Sequence, residues 1–87
     1  MKATLEIPVL PEDIEGARQA DSRRCPVARA LKRAGHQVDG VGMRWVYFGT
    51  SARPLLTGIL DDATALAIHR YDKGEGMAPF VACVELS

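Results

Sequence analysis

The chain has 87 residues, eleven lysines and arginines against eleven aspartates and glutamates, and a hydrophobic fraction of 47%. That length accommodates one domain and one core, and the balance of apolar and charged residues is that of a folded globular chain, which excludes a disordered one. No run approaches the ~18 apolar residues of a transmembrane helix, and no signal peptide precedes the first strand-like run, so the chain is expected in a cytoplasm.

The zero net charge hides an uneven distribution. Residues 1–17 set Lys2 against Glu6, Glu12, Asp13 and Glu15, whereas residues 18–35 set Arg18, Arg23, Arg24, Arg29, Lys32 and Arg33 against Asp21 alone. Such a dipolar molecule can attract anions locally without being basic overall.

Ala3 to Val9 alternates, with Leu5, Ile7 and Val9 on one side and Thr4, Glu6 and Pro8 on the other. This is a half-buried strand, and Pro8, lacking an N–H, places it at an edge or a strand end. Pro11 opens a short helix with Glu12, Asp13 and Glu15 at the positive end of its dipole and an expected end near Ala20. Pro26 fits only in the first turn of a helix, so the chain bends within Asp21–Cys25 and a second, basic helix occupies residues 22–34. Val27, Ala30, Leu31 and Ala34 form its buried stripe. Arg29, Lys32 and Arg33 take the opposite face, and Gly35 supplies the left-handed cap.

Gln37 to Phe48 reads as a hairpin or two short strands, turning at Asp39-Gly40 or at Gly42. Trp45-Val46-Tyr47-Phe48 is the strongest strand signal in the chain. Leu55 to Leu60 adds at most a brief strand. Asp61 is a natural N-cap for a helix in which Ala63, Leu66, Ala67, Arg70 and Tyr71 fall at helical spacing with Ile68 beside them, ending at Gly74 or Gly76. Met77 to Leu86 is a last strand, with Phe80, Ala82, Val84 and Leu86 on one face. The expected fold is α+β in the order β-α-α-β-β-α-β, an antiparallel or mixed sheet with helices on one face.

Chemistry is thinly represented. Cys25 at a helix start near Arg23 and Arg24 has the setting of an activated thiol, but a small buried hydrophobe packing the helix start is the expected role. Cys25 and Cys83 show no metal-ligand spacing and are expected to be reduced. His36 and His69, with Asp72 one helical turn after His69, make a weak case for a metal or an acid–base pair. The paired acids Asp61-Asp62 and Glu12-Asp13 sit at helix starts, where the dipole explains them. No phosphate-binding glycine loop and no nucleophile elbow is present. No catalytic residue, metal or cofactor is therefore expected, and the chain is read as a non-enzyme.

What remains is binding. Arg23, Arg24, Arg29, Lys32 and Arg33 are the candidate electrostatic contacts, and Trp45 and Tyr47 the candidate anchors.

Two segments carry a resemblance. Cys25-Pro26-Val27-Ala28-Arg29-Ala30-Leu31, preceded by Ile14–Arg18, and Tyr71–Gly74 leading into Pro79-Phe80 resemble a family of small bacteriophage and prophage proteins with a C-P-x-A-x-A-L helix motif. The resemblance implies a phage-type product in a bacterial cytoplasm and carries over no catalytic residue. It makes the first expectation a binding protein that contacts a host protein or nucleoprotein complex, in its most concrete form an inhibitor of host defence of the anti-CRISPR kind. Direct nucleic-acid binding through helix 22–34 is the alternative, and a small enzyme using Cys25 or His69 the third. A homodimer is compatible with so small a core, and no membrane partner is expected.

Overall fold

The computed structural model describes residues 3–86. The elements run β1 (Ala3–Val9), α1 (Pro11–Glu15), α2 (Pro26–Arg33), β2 (Val38–Val41), β3 (Trp45–Gly49), β4 (Pro54–Leu60), α3 (Asp62–Asp72) and β5 (Phe80–Leu86). All strand pairs are antiparallel and the strands lie side by side as β1-β5-β4-β3-β2. The architecture is α+β, with one strand more than the expected order: β4 is a full strand, not a brief one.

Gly58 lies inside β4, although glycine weakens a strand interior. In the fold it is required. A Cβ at Gly58 would lie 2.5 Å from Val84 Cγ1 and 3.1 Å from Phe48 Cε2, so the neighbouring strands pack directly over bare backbone.

The inner face of the sheet carries Ile7 and Val9, Ala82 and Val84, Leu60, Val46 and Phe48, all buried. Onto it α2 places Val27, Ala28, Ala30 and Leu31, none of them exposed at all. The expected stripe holds except at Ala34, which is exposed at the helix end. Helix α2 starts at Pro26 with Cys25 as N-cap, its Sγ accepting from Ala28 N–H at 3.4 Å. It ends in a Schellman arrangement: Gly35 has φ +97°, its N–H donates to Lys32 O, and His36 N–H donates to Leu31 O.

Helix α3 takes over where β4 ends. Asp61 caps it, accepting from Thr64 N–H at 2.9 Å. The Thr64 hydroxyl accepts from Cys83 N–H at 3.1 Å, and Asp61 N–H donates to Cys83 O. These two bonds continue the ladder of β5 beyond the last β4 pair. The need for that hydroxyl turns the helix so that Thr64, Ile68 and Tyr71 face inward. Of the residues at helical spacing, Tyr71 and the neighbouring Ile68 are buried, whereas Ala63, Leu66 and Arg70 are exposed.

Three further boundaries differ from expectation, the first being β5, which starts at Phe80 and not at Met77. Helix α1 stops at Glu15, not near Ala20, with Gly16 as its C-cap; the Arg29 guanidinium lies where a side chain at position 16 would go, 2.4 Å from an added Cβ. The β2–β3 turn pivots at Gly42, whose N–H donates to Trp45 O at 2.8 Å. Asp39-Gly40 stays within β2 at a register shift. The far side of β2 is partly covered, since Val41 N–H donates to Ser22 O at 2.8 Å. No helix among the described residues is long and apolar enough to cross a membrane.

Candidate interaction surface

The basic face does not stand free. Arg33 closes on the Asp13 carboxylate with its Nε at 3.2 and 3.3 Å from the two oxygens, and its Nη2 reaches Pro8 O at 2.8 Å. Arg29 donates to the backbone oxygens of Asp13 and Glu12, and Lys32 Nζ to Arg23 O at 2.8 Å. These three cations staple α2 to β1, to α1 and to the segment before α2. Asp13 explains the arrangement: it is only 3% exposed, and one of its oxygens also accepts Leu10 N–H at 2.9 Å. A carboxylate so buried must be compensated, and Arg33 compensates it.

Arg23 and Arg24 are not on a helix. They precede Pro26 in the turn at 21–24. Arg23 lies 3.7 Å from Asp39, in a solvent-exposed pair that contributes little. Arg24 is exposed with no side-chain partner among the described residues. The continuous cationic face expected over 22–34 is therefore corrected to one free arginine beside an internal network.

The chemistry residues do not assemble either. Cys25 is buried in the core cluster. Burial pushes its thiol pKa up, outweighing the Ala28 and Val27 N–H groups that pull it down, so the helix start does not activate it. The Cys83 thiol is also pushed up, by desolvation and then by the Asp61 and Glu6 carboxylates. Cys25 belongs to the inner core and Cys83 alternates with Ala82 and Val84 onto the outer face, and both are free. His36 packs edge-on against Phe48, with ring centroids 6.0 Å apart. His69 lines a different cavity from His36, and the Asp72 carboxylate accepts Ala20 N–H at 2.9 Å.

The other candidates come together. Trp45 and Tyr47 alternate with buried Val46 and Phe48, so both project from the outer face, 44% and 48% exposed. Trp45 sits directly opposite Ile59 and Tyr47 opposite Thr57. Ile59 in turn sits opposite Glu85 on β5. Val81 and Glu6 lie further along the same face. The core helices α2 and α3 pack on the inner side, which leaves this aromatic and aliphatic patch open. Exposed apolar residues gathered on one face mark an interaction site, whereas single ones do not.

The patch does not share the composition of the basic segment. The five strands contain no lysine or arginine, and Glu6 and Glu85 share the outer face with Trp45 and Tyr47. Sequence alternation identified the two aromatics but passed over Ile59, Val81 and Glu6. Their signal was the same period of two; what it lacked was knowledge that both long connections cross on one side.

No protein-family model, curated protein or solved structure matches the chain.

Proposed function

We propose that this chain is a non-enzymatic binding protein that docks a partner protein on the open face of its sheet, with Trp45 and Tyr47 as anchors. The observation that carries the reading is the pair of half-exposed aromatics, two residues apart on β3 and flanked by Ile59, on the open face of the sheet. Tyrosine and tryptophan offer large contact area at low entropy cost and dominate binding hot spots. Glu6, on the same face, favours a partner surface bearing lysine or arginine, which also stacks on aromatic rings.

The resemblance to bacteriophage and prophage proteins supports a partner from a bacterial host, and obstruction of a host-defence complex is the concrete form we favour. Nucleic-acid binding through the second helix is the weaker reading, because Arg29, Lys32 and Arg33 already hold the fold together.

The test is capture from bacterial host lysate with immobilised wild-type chain and with the Trp45→Ser/Tyr47→Ser variant, whose folding is checked by circular dichroism. A protein retained by the wild type and lost from the folded variant supports the reading. Equal retention by both, or retention of nucleic acid alone, overturns it.

A further inference from the structure

A second site lies away from the sheet face. Helix α3, the segment 20–25 and the β2–β3 turn enclose a cleft of about 560 Å3, a size typical of ligand sites. Its floor is apolar, built from buried Cys25, Val41 and Ile68, and the exposed side chains of Met43 and Leu66 flank it. Leu66 is a large apolar side chain left exposed on α3.

The rim is charged unequally. Arg44 is its only arginine or lysine, and it is held 2.7 Å from Asp62. Asp21 and Asp72 also line the cleft. Each of their carboxylates accepts a backbone N–H, from Arg23 at 3.0 Å and from Ala20 at 2.9 Å. Neither has a cationic partner among the described residues. Ala20 takes the left-handed conformation, φ +53°, where it meets Asp72. The cleft therefore joins greasy walls to two uncompensated carboxylates.

The ligand complementary to that combination is an aliphatic chain ending in a cation. We propose that the cleft receives a lysine or arginine side chain from a partner protein, its stem against Met43 and Leu66 and its head group at Asp21 and Asp72. This rests on the reading of the chain as a protein binder and names the chemistry of the partner. Its test needs no partner, so it fails or succeeds separately from the capture experiment.

The full chain is titrated with N-acetyl-lysine N-methylamide, followed by 15N–1H NMR, and then with the arginine, norleucine and glutamate analogues. Lysine and arginine are expected to give saturable shifts confined to amides in 20–25, 41–44 and 62–72. Norleucine, which has the stem without the charge, is expected to bind several-fold more weakly, and glutamate not at all. Asp21→Asn and Asp72→Asn keep an oxygen for their backbone bonds, and each should weaken lysine binding about threefold. Leu66→Ala, at an exposed position, should weaken lysine and norleucine alike. Norleucine matching lysine, glutamate producing the same shifts, or no saturable shift in the cleft would overturn the proposal.

Discussion

Arg33 and Asp13, twenty residues apart, form the charged hinge between α2 and α1, with the guanidinium forking over both carboxylate oxygens and reaching on to Pro8 O. Asp13 is 3% exposed whereas the Arg33 side chain is 36% exposed. The pair is thus a buried acid with a cation as its lid. Removing the lid leaves a buried carboxylate without its charge partner. Arg33→Ala should cost about 2 kcal/mol, less than a fully buried pair because water can enter, and lower the melting temperature by on the order of 10 °C. Arg24→Ala, which removes the free arginine, should stay within about 0.5 kcal/mol. Urea unfolding of the two variants distinguishes a structural cation from a surface one.

Gly58→Ala tests the close packing over β4. The added methyl meets Val84 and Phe48 at distances the core does not allow, and overpacking of this kind costs about 1–3 kcal/mol. Val84→Ala in the same chain should recover part of that loss, because it removes the nearest obstruction. A double-mutant cycle by chemical denaturation reads the coupling directly.

Thr64 places a hydroxyl at the seam between β5 and α3. Thr64→Val keeps the shape but orphans Cys83 N–H, at a cost of about 1–2 kcal/mol. Thr64→Ser keeps the acceptor and should cost less. Hydrogen exchange at the Cys83 amide gives the local readout, accelerating in the valine variant and not in the serine one.

The Cys25 thiol links stability to alkaline pH. Its pKa in the folded chain is raised above the ordinary 9.0, first by burial. Below pH 9 the thiol is neutral in both states and the contribution is complete. Above it the unfolded thiol ionises while the folded one does not, so the unfolded state binds fewer protons and stability falls as pH rises. The slope for one thiol is at most about 1.4 kcal/mol per pH unit. In a Cys83→Ser background, urea unfolding between pH 7 and 10 should show this loss, and Cys25→Ser, which keeps a capping oxygen, should flatten it. Thiol reagents should label Cys25 only after unfolding.

Much of the fold was legible because local chemistry and tertiary need agreed. The alternation of β1 and β5, the Val27-Ala30-Leu31 stripe, the Asp61 cap and the left-handed Gly35 all read directly from residue type and spacing. What failed did so where a distant partner decides. The place of Gly58 in β4 depends on Val84 and Phe48, which pack against it from distant strands. The inward place of Thr64 depends on Cys83 N–H, nineteen residues away, which donates to its hydroxyl. The cations of α2 read as a free face because charge counting cannot reveal that Asp13 is buried. The two aromatics of the candidate surface were found by parity, but their openness depends on helices α2 and α3 packing on the same side.

Trp45 is the sole tryptophan in the chain, so its fluorescence reports on the proposed surface without any label. The free protein should emit as a solvent-exposed indole and be readily quenched by acrylamide. Adding the protein captured from host lysate should shift that emission to the blue and shield it from quenching, as burial under a partner requires. Complex formation that leaves both the emission and the quenching of Trp45 unchanged would place the contact elsewhere and contradict the open sheet face as the binding surface.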